Sequence, residues 1–402
     1  MSTKYPAGVI TAVNPVTPSG PYQTSTASGI WTMEQAGYWI KQGLWPTAGN
    51  VKNFGPLYSW GRNSNGQLGL GNTTFYSNPK QVGSLTTWLN ISAGGYHTLA
   101  TKTDGTLWSW GFNFYGQLGL GNITNYSSPK QVGSLTTWLN IAGGYNFTLA
   151  TKTDGTLWSW GSNNYGQLGQ GNITKYSSPK QVGSLTTWSK ITAGGYHTIA
   201  TKTDGTLWSW GSNPYGQLGQ GNTTNYSSPK QVGSLTTWLN IAGGYNFTLA
   251  TKTDGTLWSW GSNNYGQLGQ GNITNYSSPK QVGSLTTWSK ITAGGYHTIA
   301  TKTDGTLWSW GYNVFGQLGL SNTTNYSSPK QVGSLTTWSK ITAGFIHTIA
   351  TKTDGTLWSW GRNTNGQLGL GNITNYSNPK QVGSLTTWLN ITAGLFHTIA
   401  LG

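Results

Sequence analysis

The stretch HTIATKTDGTLWSWG (197–211) sets the pattern of the chain. HTIATK and LWSWG alternate between apolar and small polar positions and are rich in β-branched and aromatic residues, which predicts two strands. The Asp-Gly between them is a strong signal for a tight hairpin turn. WSKITAG (188–194) predicts a third strand before the hairpin, and PKQVG (229–233) a fourth after it, opening on a proline that an edge strand tolerates. Four short antiparallel strands per unit describe a propeller blade.

The unit recurs every fifty residues, with GxNxxGQLG loops beginning at Gly61, Gly111, Gly161, Gly211, Gly261, Gly311 and Gly361. The GQLG glycines predict a tight turn leading into an outer loop. Against seven GQLG segments there are six TDGT hairpins, at Asp104, Asp154, Asp204, Asp254, Asp304 and Asp354. The missing hairpin would join HTIALG (397–402) to LYSWG (57–61), at opposite ends of the repeats. Pairing these two segments without a covalent turn predicts an all-β fold: a closed ring of seven four-stranded blades over residues 55–402.

Residues 1–54 stand apart. Pro6, Pro15, Pro18 and Pro21 predict an extended arm, and GIWTMEQAGYWIKQGLWP a short helix capped at Thr32 and ended by Gly43 and Pro46. Trp31, Tyr38, Trp39 and Trp45 give that helix more apolar surface than it can bury alone. They form a candidate anchor, docking either on a partner or on the chain's own propeller.

Composition narrows the function. Charged residues make up 7% of the chain and aromatic residues 13%, enough for a substantial core. The formal charge is +15, from 22 Lys and Arg against 7 Asp and Glu. The lysines are dispersed singly, which argues against nucleic-acid binding. The absence of cysteine excludes disulfides, thiolate metal sites and cysteine nucleophiles. No charged segment followed by a long apolar run opens the chain and no membrane span is visible, so synthesis in a cytoplasm is expected.

Its five histidines, His97, His197, His297, His347 and His397, occupy one position in five different repeats with no acid beside them. This predicts a structural histidine bonded to the neighbouring blade, and neither a metal nor another cofactor. The hairpin aspartates serve their own turns. An active site is normally unique, whereas these groups are repeated, so the chain is read as non-enzymatic.

HTIATKTDGTLWSWG followed by NYGQLG resembles the regulator of chromosome condensation repeat family, over residues 55–402. The resemblance implies a seven-bladed propeller and a binding module. The nucleotide-exchange activity of the family's founding member is not carried over, since the repeats never break to admit a specialised insertion. The leader ASGIWTMEQAGYWIKQGLWP is similar to short segments near the N-termini of tailed-bacteriophage structural proteins. That resemblance implies a virion component on capsid or tail, joined to other virion proteins through residues 1–54 and presenting the ring to a host surface protein or glycan. The alternative is a cellular, cytoplasmic protein-binding propeller acting as scaffold or inhibitor.

Drift between repeats points to a binding arc. Three successive loops are polar (GSNNYGQLGQ at 161 and 261, GSNPYGQLGQ at 211), while the other four become neighbours once the ring closes. Those four carry Arg62, Phe112, Phe114, Tyr312, Val314, Phe315 and Arg362, with Leu70, Leu120, Leu320 and Leu370 replacing Gln. Aromatics with arginine are frequent anchors of protein interfaces.

Overall fold

The computed structural model describes residues Phe54–Gly402. The arm, the helix and the anchor expected at Trp31, Tyr38, Trp39 and Trp45 lie outside the described residues. From Leu57 onward the chain forms seven four-stranded antiparallel sheets. In one blade the innermost strand is Trp88–Ala93, followed outward by His97–Lys102, Leu107–Gly111 and Tyr126–Gln131. The outermost strand starts at Tyr126, earlier than expected, and takes Pro129 into its interior. A register shift between Ser109 and Gly111 interrupts the ladder opposite it, and an outer edge does not need the missing N–H.

The ring closes between the two ends of the repeats. Leu57–Gly61 pairs antiparallel with His397–Leu401, in the register Leu57↔Leu401 to Gly61↔His397. One blade is thus assembled from Tyr76–Gln81, Leu57–Gly61, His397–Leu401 and Asn390–Ala393.

Antiparallel order gives the ring two faces. The Asp-Gly hairpins and the links between blades lie on one, called here the hairpin face. The turns between the first and second strands (Gly94–Tyr96 and equivalents) and the GQLG loops lie on the other, the loop face.

The core sits between blades. Trp88, Trp110, Ile91 and Ala100 pack against Leu57, Val82, Ile399 and Leu401 of the closing blade. Trp60, Trp110 and their five equivalents are fully buried, and burial of so large a side chain contributes about 3 kcal/mol. GQLG does more than turn. The Gln67 carbonyl accepts hydrogen bonds from Trp110 Nε1 at 3.0 Å and Thr98 Oγ1 at 2.8 Å, both in the next blade. Across the closure, the Gln367 carbonyl accepts from Trp60 Nε1 at 3.0 Å in the same way.

The histidines lie where the repeat predicted and bond to the next blade. His97 Nε2 meets Thr148 Oγ1 at 3.0 Å, and His397 Nε2 meets Thr98 Oγ1 at 3.2 Å across the closure. In two blades Phe147 and Phe247 fill the same buried position. Burial lowers all five imidazoles to a pKa of about 3, with the charge of His397 adding to the effect at His97. Each aspartate binds its own turn, as with Asp104 Oδ1, which accepts from Thr106 N at 2.9 Å and Thr106 Oγ1 at 2.6 Å.

Candidate functional site: the loop face

At the axis of the loop face, large and small side chains alternate from blade to blade: Gly95, Tyr145, Gly195, Tyr245, Gly295, Phe345, Leu395. The glycines make room for their neighbours. A Cβ on Gly295 would lie 2.4 Å from Phe345 Cδ2, and one on Gly195 2.8 Å from Tyr245 Cδ2. Tyr245 therefore reaches past the intervening blades to Tyr145 (ring centroids 5.9 Å apart) and to Phe345 (5.5 Å). These rings narrow the channel to a cavity of about 210 Å³. Burial, first, and contact with neighbouring phenols raise the Tyr145 and Tyr196 hydroxyls far above the usual tyrosine range, so both remain neutral donors.

Around this plug the loops place most of the arc in one continuous band. Phe396 lies between the two guanidiniums, with Arg62 Cζ 5.7 Å and Arg362 Cζ 5.4 Å from its ring. Arg362 also lies over Phe315 at 5.1 Å, and Phe315 meets Tyr312 at 6.5 Å. On the other side Arg62 lies over Tyr96 at 5.4 Å, and Tyr96 meets Phe112, which stacks on Phe114 at 6.4 Å. Hydrogen bonds from Arg62 Nε to Ser64 Oγ and Arg362 Nε to Thr364 Oγ1, each 3.0 Å, hold the guanidiniums in place. Phe114 is 62% exposed and Val314 50%. The described carboxylate side chains all belong to Asp-Gly hairpins on the opposite face, so the arginines have no acid beside them.

Some details differ from the sequence reading. Leu70, Leu120, Leu320 and Leu370 do not join the band; they pack against the clusters between blades. The polar loops are not bare of rings either. Tyr165 packs on Tyr196 at 5.4 Å, and Tyr265 on Tyr312 at 4.7 Å, so aromatic contacts continue round the face. What distinguishes the arc is its arginine pair and its phenylalanines. Tyr96 and Phe396, which bridge the band, were missed. Their signal was available: in an antiparallel blade the first and third connections emerge on the same face, so drift in GLFHT belongs beside drift in GRNTN.

Sequence and structure comparisons agree with this architecture. The RCC1-like domain model matches residues 50–287, and the regulator of chromosome condensation (RCC1) repeat matches residues 304–351 and 354–401. No curated protein sequence matches the chain. Among solved structures, human WBSCR16 is 22% identical with a TM-score of 0.78, over 87% of this chain and 98% of that one. Yeast RCC1 (Prp20) with Kap60 bound is 21% identical with a TM-score of 0.79, over 86% of this chain and 88% of that one. Prp20p of Saccharomyces cerevisiae, described with its binding properties to Gsp1p and histones, is 22% identical with a TM-score of 0.77, over 87% and 91%. These likenesses show the shared propeller fold. On its repeats, its seven closed blades and the match of the domain model, the chain belongs to the regulator of chromosome condensation (RCC1) repeat family.

Proposed function

We propose that the chain is a non-enzymatic protein-binding propeller whose loop face docks an acidic partner surface, acting as a scaffold or inhibitor. The observation that carries this reading is the band Tyr312–Phe315–Arg362–Phe396–Arg62–Tyr96–Phe112–Phe114. It joins two arginines, with no described carboxylate side chain beside them, to a run of half-buried and exposed rings. Interfaces concentrate their energy in such aromatic and arginine anchors, and charge complementarity selects the partner.

The groups that would serve acid–base chemistry are committed elsewhere. The five histidines are fully buried, and the aspartates bind their own hairpins. Protein binding is also the class to which the yeast structure with Kap60 bound belongs. A virion role rests on the leader, outside the described residues, so the ring supports the cellular reading more directly.

The test is affinity capture from source cells with the immobilised chain, comparing wild type with Arg62→Gln/Arg362→Gln/Phe114→Ser. The variant should lose its specific partner by about tenfold or more with a near-unchanged melting temperature. Tyr215→Ser, on the polar arc, should retain the partner. Equal capture by the arc variant, or equal loss in Tyr215→Ser, would sink this assignment.

A further inference from the structure

Among the described residues, every lysine and arginine but three lies over an aromatic ring. Lys102 is typical, with Nζ 3.7 Å from the Trp108 centroid. The exceptions are Lys190, Lys290 and Lys340. All three occupy one position of the repeat, at the start of the innermost strand, where the other blades carry Asn90, Asn140, Asn240 and Asn390. That position rings the mouth of the central channel on the hairpin face.

The mouth is a cavity of about 410 Å³ lined by Lys190, Lys290 and these asparagines, with five isoleucines (Ile91 to Ile291) beneath; Lys340, at the same position of its blade, stands outside this lining. Six of the seven side chains at this position donate to a carbonyl of the next blade; Asn390 instead accepts from Ile391 N. Lys190 Nζ donates to Leu239 O at 2.7 Å, Asn90 Nδ2 to Leu139 O at 3.1 Å, and Lys340 Nζ to Leu389 O. An asparagine amide performs this structural task as well as a lysine does. The ammonium adds only charge and further donors.

Among the described residues no carboxylate side chain compensates that charge. Burial lowers the Lys190 and Lys340 ammoniums from their ordinary pKa, and Lys290 lowers Lys340 further. The described carboxylates sit outward in the hairpins, where Asp304 is coupled to Lys302 rather than to a channel lysine. Two of these charges line a part-enclosed cavity and the third, Lys340, is close enough to be felt by Lys290, which creates a positive potential that a multivalent anion relieves.

We propose that the hairpin-face mouth of the channel binds a small multivalent oxyanion of the polyphosphate class, held by Lys190 and Lys290, with Lys340 adding positive charge from the adjacent blade. The asparagine amides supply neutral donors, and the isoleucines form an apolar floor. The site is separate from the protein-docking band, which lies on the opposite face.

Tripolyphosphate titrated calorimetrically into the full-length chain, at about 0.15 M salt to suppress loose surface binding, tests this. Wild type should show one saturable site per chain, with a rise in melting temperature on binding. Lys190→Asn/Lys290→Asn/Lys340→Asn installs the residue that other blades use, so it should melt like wild type without the probe. It should bind at least about tenfold more weakly. Lys80→Gln/Lys130→Gln/Lys230→Gln removes the same charge from the outermost strands, away from the mouth, and should bind within about twofold of wild type. Tighter binding of ATP than of tripolyphosphate would identify a nucleotide as the source of the phosphates, and the reverse order a free polyphosphate. Absence of saturable binding at about 1 mM probe, or equal weakening in both triple variants, would overturn the site.

Discussion

One added methyl group separates two kinds of glycine in this chain. Gly119 has φ +73°, and a Cβ there would lie 2.7 Å from Trp160 Nε1, the donor that bonds the Gln117 carbonyl. Gly133 has φ +61° but open space around its would-be Cβ. Gly133→Ala should therefore cost only the left-handed backbone penalty, about 1 kcal/mol, while Gly119→Ala should cost about 3 kcal/mol or more. Denaturant melts of the two variants measure the difference. The histidines make a second residue-scale prediction. Their folded pKa of about 3 lies below the unfolded value of about 6.5, so below pH 6.5 the unfolded chain takes up protons that the folded chain refuses. Stability is then full above pH 6.5 and falls as pH drops toward 3, by up to about 1.4 kcal/mol per pH unit for each histidine. The aspartates, held below their ordinary range mainly by hydrogen bonds from their own threonines, lose their contribution only at lower pH. His297→Phe, the replacement that Phe147 and Phe247 already represent, should flatten the slope between pH 6.5 and 5. An unchanged slope in melts across that range would contradict the assignment of the acid sensitivity to these rings.

At the scale of strands, the closing blade is the one joint without a hairpin. Its seam is held by the ladder from Leu57↔Leu401 to Gly61↔His397 and by Trp60 on the Gln367 carbonyl. Deleting residues 397–402 removes a strand between two others and opens an edge, so the whole ring should melt at a markedly lower temperature. A truncated chain that melts like the intact one would show that the seam contributes nothing. Strands, blade number and seam were all legible in the sequence, because period-two alternation and a missing TDGT are local or countable. The partner of the Gln67 carbonyl was not, since Trp110 comes within reach only when two blades pack. For the same reason Tyr96 and Phe396 escaped notice: their place beside Arg62 depends on which connections share a face. The adjacency of Arg62, Arg362 and the aromatic loop residues was readable from loop drift and ring closure, whereas the leucines at 70, 120, 320 and 370 turn inward. A single sequence position does not reveal which way a loop residue points.

Across the described ring, charge is divided by face: the loop face carries Arg62 and Arg362 with no described acidic side chain, while the hairpin face has the aspartates and the channel mouth. The plug at the axis adds a consequence of another kind. Two alternating sizes cannot run consistently around an odd number of places, and the misfit falls where Phe345 stands beside Leu395. A ring of seven equivalent blades would offer a partner seven equal orientations, and choosing one of them costs about RT ln 7, roughly 1 kcal/mol. The parity defect removes that degeneracy. It lies next to the seam, where Phe345 meets Phe396 at 6.4 Å and Phe396 lies between Arg62 and Arg362. A chain built from near-copies thereby acquires one distinguishable direction in the plane of the ring, and a partner docked as proposed would be held in a single rotational setting.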